Sequence, residues 1–267
     1  MDVHKPKPVH SWRAFTVEIA TIVLGVLIAL GAEQVAEGLR VRHQVRQDMV
    51  LLARELSGEL AEGVVRMRMT ECVDARLNEL AATVDEADRA GRLPPMPVPG
   101  RPRTLVYTTA AWTSVVASPA ATHFPHDQFQ EFAYVYGLMS LATPLNDAET
   151  TDWSEIYSLA GPGRRLDAGS AQRLLVTIAD ARTINLQMAT IAAQLAKEID
   201  RLDLRFDADS RARIRRALTS PMAVIDTRHV CTPVHRDIPP NYGQSPWADL
   251  LPRSAGAGSR SSSRKTM

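Results

Sequence analysis

The chain has 267 residues, 31 Lys and Arg against 30 Asp and Glu for a formal charge of +1, with 45% hydrophobic and 5% aromatic residues. That length and apolar content suffice for one sizeable domain or two small ones. The balanced charge lacks the clustered basic excess that phosphate contacts require, so no nucleic-acid partner is expected. Two cysteines exclude a cysteine-only zinc site and a disulfide-dense scaffold, and they allow one bridge.

The prolines divide the chain. None occurs in residues 9–93 or 163–220, whereas Pro94-Pro95-Met96-Pro97-Val98-Pro99-Gly100-Arg101-Pro102 holds five in nine positions. Proline removes a backbone donor and clashes with the preceding helical turn. The two proline-free tracts therefore predict long helices, and the proline cluster predicts an extended polyproline II connector. No internal repeat and no period-2 alternation of sheet type is present, so the predicted fold class is all-α.

The first tract opens with an apolar run. Residues 14–32, AFTVEIATIVLGVLIALGA, are 19 long with Glu18 as their single charge. As a helix they reach about 28 Å, close to the roughly 30 Å hydrocarbon thickness of a bilayer. Trp12 and Arg13 occupy the places of an interfacial aromatic and a snorkelling cation. The uncharged core, Ile19 to Ala32, also fits a signal-peptide h-region, with Lys5, Lys7 and Arg13 before it and Ala29-Leu30-Gly31 as a cleavage site. The helical pattern continues without a breaker into Glu33-Gln34-Val35-Ala36, which favours an uncleaved anchor.

Within the span, Thr21, Gly25, Ala29, Ala32 and Ala36 recur three or four residues apart, and Glu18 lies one heptad before Gly25 on the same stripe. Small side chains let helix backbones approach closely in lipid, and a charge at the membrane edge must snorkel, pair or face another helix. These positions predict either a parallel homodimer through the anchor or docking against a partner's span. Alternatively, the small residues are ordinary membrane-helix composition and Glu18 reaches the headgroups.

Beyond the span, Met49, Ala53, Leu56, Leu60, Val64, Met67, Leu77, Leu80 and Val84 keep a helical period. Arg54, Glu55, Glu59, Glu62 and Arg66 are assigned to the opposite, solvated side. This predicts an amphipathic stalk helix to about Ala90, softened at Gly38, Gly58 and Gly63. Cys72 lies on it and Cys231 lies 159 positions later. With no CxxC and no ligand partner at zinc-finger spacing, an even, well-separated pair in a membrane-anchored chain predicts one long-range disulfide made in an oxidising compartment. Two unpaired thiols in the cytosol are the alternative. Lys/Arg counts tie on the two flanks of the span, so the cysteines decide orientation: N-terminus cytoplasmic, bulk periplasmic.

Trp12-Arg13-Ala14-Phe15-Thr16-Val17-Glu18-Ile19 followed by Val23-Leu24-Gly25-Val26-Leu27-Ile28-Ala29-Leu30-Gly31-Ala32-Glu33-Gln34 resembles the anchor of a group of uncharacterised Gram-negative single-pass inner-membrane proteins. Cys72-Val73-Asp74-Ala75-Arg76-Leu77 and Ala111-Trp112 are similar to that group more loosely. The resemblance implies a single N-terminal span followed by a mostly helical domain. It implies no reaction and no catalytic residues.

In the middle of the chain, Pro119, Pro125, Pro144 and Pro162 predict short helices at about 106–118, 126–142 and 147–159. Phe129, Phe132 and Tyr136 share a packing face. The second tract has a seam, Leu174, Ile178, Ala181, Asn185, Met188, Ala192, Leu195, Ile199, Leu202 and Phe206, at strict four-three spacing. It reads either as an intermolecular coiled coil or as the central helix of an antiparallel bundle, and small Ala181 and Ala192 favour the bundle. Asn185 is its one strongly polar residue and a register-fixing candidate. Asp167 is placed to cap this helix, and Asp207-Ala208-Asp209 opens a further short one.

The expected organisation is a cytoplasmic N-terminus (1–13), transmembrane anchor (14–32), stalk (33–90), proline-rich connector (91–105), bundle (106–232) and a Pro/Ser/Gly-rich tail (233–267) with little to bury. No phosphate loop, nucleophile elbow, HExxH or dinucleotide fingerprint occurs, and no cofactor is expected. The one metal candidate groups His123, His126 and Asp127 with Cys231, His235 and Asp237. It would spend a sulfur that the bridge needs. The leading expectation is a non-enzymatic structural or interaction module at the inner membrane, working with the lipid bilayer and a protein partner. Alternatives are a ligand-sensing bundle, which would need a separate signalling partner because only 13 residues precede the span, and an anchored metal-dependent hydrolase.

Overall fold

The first proline-free tract forms one helix, α1, Trp12–Ala90. The computed structural model describes residues 12–234; the first eleven residues and all but the first two of the expected tail lie outside the described residues. At 1.5 Å per residue, α1 is roughly 118 Å long. It stops at Gly91, which takes a left-handed conformation at φ +67°. The Gly91 N–H donates to the Asp88 carbonyl at 3.2 Å, and its carbonyl accepts from the Leu166 N–H at 3.2 Å. A side chain there would carry the steric cost that ends helices on glycine.

Three regimes follow one another along α1. Val17 to Leu30 are all exposed, and apart from Glu18 and Thr21 all are apolar. Residues 33–47 are also exposed, apart from half-buried Val41 and Val45. From Asp48 onward the helix is buried on a heptad series, Leu52, Glu59, Arg66, Val73, Leu80 and Ala87, flanked by Leu56, Leu77 and Val84. Two expectations change here. Only residues 33–47 behave as a stalk, since from Asp48 α1 is a core helix of the bundle. Glu59 and Arg66, assigned to the solvated side, are 5% and 2% exposed.

Helix α4 (Ala168–Arg201) opens as expected on Asp167, whose carboxylate accepts from the Ser170 N–H at 2.9 Å. Its predicted seam is buried from Leu174 to Leu202, with Phe206 half-buried. It packs antiparallel to α1: Gly63 faces Ala192, Asn185 bonds the Thr70 carbonyl, and Asp74 pairs with Arg182. The seam is thus filled within the chain, as in the bundle alternative.

Helix α3 (His126–Ile156) is the third member. It corrects the expected break, because Pro144 lies inside it. The reason is tertiary. Ala142 and Asn146, on either side of the proline, are buried. The Asn146 amide also holds both backbone groups of Leu105, accepting from its N–H at 3.3 Å and donating to its carbonyl. The short helix α2 (Ala110–Val116) and a 3-10 turn, Pro119–His123, precede α3, and a second 3-10 turn, Tyr157–Leu159, follows it.

Helix α5 (Ala208–Thr219), capped by Asp207 through the Ser210 N–H at 2.7 Å, lies on α1 where Ser57 and Ser210 share a hydrogen bond of 2.9 Å. The single-turn helix α6 (Met222–Ile225) leads into residues 226–234. The proline-rich connector is extended but covered: Leu93, Met96 and Leu105 are buried. Arg92–Leu93 (β1) pairs antiparallel with Arg164–Arg165 (β2), and Met96 bridges Gly161.

Candidate functional site

The apolar end of α1 presents Glu18, Thr21, Gly25, Ala29 and Ala32 exposed along one face. A Cβ built on Gly25 or Gly31 meets nothing within 4 Å. The Thr21 hydroxyl donates to the Val17 carbonyl at 2.8 Å, so its one polar group is satisfied within the helix. Trp12 and Phe15 sit 5.8 Å apart at the start. By length and composition this is a helix able to cross a membrane, and none of its apolar side chains from Val17 to Leu30 is used by the bundle.

Cys72 and Cys231 form the expected disulfide, with Cα atoms 4.7 Å apart. It fastens residues 226–234 across α1. Within that segment the buried Asp226 carboxylate accepts from the Val230 N–H at 2.9 Å and the Cys231 N–H at 2.7 Å. On α1, Arg76 donates to the His229 carbonyl at 3.2 Å and Glu79 accepts from the Val234 N–H at 2.8 Å. An open groove of about 450 Å³ runs beside the two sulfurs.

Asn185 belongs to a polar centre that periodicity does not foresee. Arg66 donates to Glu149 at 2.6 Å and to Asn185 at 3.0 Å, and Asn185 donates to the Thr70 carbonyl at 3.1 Å. Arg66 and Glu149 side chains are 1% and 5% exposed. Burial pushes the Glu149 carboxyl up, against the downward pull of Arg66. The available signal is the heptad: stepping back by sevens from Leu80 through Val73 lands on Arg66 and then Glu59, which places two charges on a core face. Glu149 has no comparable signal.

A second set of acids lines α1 toward α2 and α3. Glu55 accepts from the Tyr136 hydroxyl at 2.8 Å and the Ala111 N–H at 2.9 Å, and Glu59 accepts from Thr108. Burial raises Glu59, partly offset by Thr108, and pushes the Tyr107 phenol up to about 12. Asp152, half-buried and then repelled by Asp180, Glu155 and Glu149, is pushed up to about 6. The aromatic face of α3 is core: Trp112 stacks on Tyr136 at 5.2 Å and lies 4.9 Å from Phe129.

The metal candidate does not assemble. His123, His126 and Asp127 are exposed, His126 pairs with Gln130, and Cys231 is spent in the disulfide. His235 and Asp237 lie outside the described residues. Among the described residues no group of three His, Cys, Asp or Glu is placed to hold a metal. No protein-family model, no curated protein and no solved structure matches the chain.

Proposed function

We propose that this chain is a single-pass inner-membrane protein of the kind its anchor sequence resembles. Residues 14–32 lie in lipid, the N-terminus is cytoplasmic, and the bundle is periplasmic and works as a structural or protein-interaction module without catalysis. The observation that carries this reading is the continuity of α1: one unbroken helix is mostly apolar and exposed at its start and is a buried core helix of the bundle from Asp48. A lipid-borne end so joined fixes the bundle's position relative to the membrane without a flexible linker. The disulfide supports the oxidising side of the membrane.

The partners in this reading are the bilayer, a second copy through the Glu18–Thr21–Gly25–Ala29–Ala32 face, and a further protein at the bundle. A photo-crosslinking residue placed at Gly25 in the full-length protein in membranes tests the self-association. The expected product has twice the chain mass and is weak or absent when the same residue replaces Leu27 on the other side of the helix. Equal yields at the two positions, or adducts to lipid alone, would refute the anchor dimer.

A further inference from the structure

We propose that the contact between α3 and α4 is proton-sensitive: Asp152 takes up a proton as the surroundings acidify, and α3 packs on α4 more stably in mild acid than at neutral pH.

Asp152 stands where the end of α3 enters the bundle core. It is half-buried, and its neighbours Trp153 and Ile156 are fully buried. One of its carboxylate oxygens, Oδ2, is enclosed and accepts no hydrogen bond from the described residues. Along α3, Glu149 and Glu155 lie three residues before and after it, so the three carboxylates share one side of the helix. From α4, the Thr177 hydroxyl donates to Glu155 at 2.9 Å, and Asp180, about one turn further on, adds a fourth negative charge that repels Asp152.

The neighbouring cations serve other groups. Arg66 of α1 donates to Glu149 at 2.6 Å, and Arg101 of the connector attracts Glu149 as well. On α4, Arg173 donates to the Ser170 hydroxyl at 2.9 Å, and Arg182 pairs with Asp74 of α1 at 3.0 Å. Asp152 also lies near the C-terminal end of α3, where unpaired backbone carbonyls concentrate negative potential and no basic residue occupies the last turn.

Each of these features disfavours the ionised carboxylate. Enclosure without a donor strips its hydration, three acids repel it, and the helix end adds partial negative charge. Burial acts most strongly, followed by Asp180, Glu155 and Glu149, and the Asp152 carboxyl is pushed up to about 6. In an unfolded chain the same group releases its proton at about 4. The folded form therefore holds the proton more tightly, and the stability this lends is complete below about pH 4 and lost as the pH rises through about 6. Above that, the charge on Asp152 works against the interface that carries Trp153, Ile156 and the Arg66–Glu149 pair. The inference rests on α3 and α4 alone, whichever side of the membrane carries the bundle.

Urea unfolding of the full-length protein in detergent micelles, followed by helical circular dichroism at about pH 5 and about pH 7.5, tests this together with a carbon-13 titration of the aspartate carboxyls. In the wild type the Asp152 carboxyl should titrate near pH 6, and at a lower pH in Asp180→Asn, which removes one repelling charge. Asp152→Asn keeps the shape of the protonated acid and cannot ionise, so it should lose less stability than the wild type between the two pH values. The difference is a factor of up to about ten in the folding constant, reduced by solvent screening at a half-exposed carboxyl. A wild-type Asp152 carboxyl that titrates near pH 4, or a variant whose stability depends on pH as steeply as that of the wild type, would overturn the proposal. The wild-type titration decides it even where the variant does not fold.

Discussion

Arg66, Glu149 and Asn185 occupy the middle of the bundle, where the geometry is good but both charges are cut off from water. Such a pair adds little over apolar side chains of the same volume, yet breaking it leaves one charge buried alone. Glu149→Leu is therefore expected to destabilise the bundle by about 3–5 kcal/mol, read from the urea midpoint. Arg66→Met combined with Glu149→Leu should recover most of that loss. Equal destabilisation by the single and the double change would mean that packing, not the stranded guanidinium, sets the cost. Asn185 was legible as a polar residue on an apolar seam; that it answers an arginine across the interface was not, because helical periodicity reports which face a residue is on and nothing about its partner.

Among the elements, α1, α4 and α5 were legible because each is set by local rules. Long proline-free periodicity sets the first two, and Asp167 and Asp207 start α4 and α5 on capping bonds to the third following residue. Helix α3 was not, because proline is a local signal that tertiary contact overrode. Buried Ala142 and the Asn146–Leu105 bonds hold both sides of Pro144 in helical register. Since exposed Pro144 still deprives the ladder of one donor, Pro144→Ala should raise the melting temperature, by an amount bounded by the roughly 3 kcal/mol that separates the two residues in a helix interior. A lower melting temperature would mean that the proline shapes α3 in a way the bundle needs. The segment 226–234 is the opposite case. It has no periodicity to read, yet Val230 and Val234 enter the core beside Val73, Leu77 and Leu80, and Arg76 and Glu79, whose side chains look like ordinary surface charges in one dimension, bond its backbone.

In the molecule as a whole, an apolar helix end, a bundle that the same helix enters, and a disulfide between residues 159 positions apart are joined in one chain. The apolar run and the cysteine pair were legible from composition and spacing alone. The length of stalk actually exposed, residues 33–47, was not, since helical periodicity does not say where along a helix a partner begins to cover it. The placement of the bundle on the oxidising side is tested most directly by fusing to the C-terminus of the full chain, in parallel, a reporter active only in the periplasm and one active only in the cytosol. Activity is expected from the periplasmic reporter alone, in the membrane fraction, with Cys72 and Cys231 protected from alkylation until reduced. Activity from the cytosolic reporter, with both thiols free to alkylate, would contradict it.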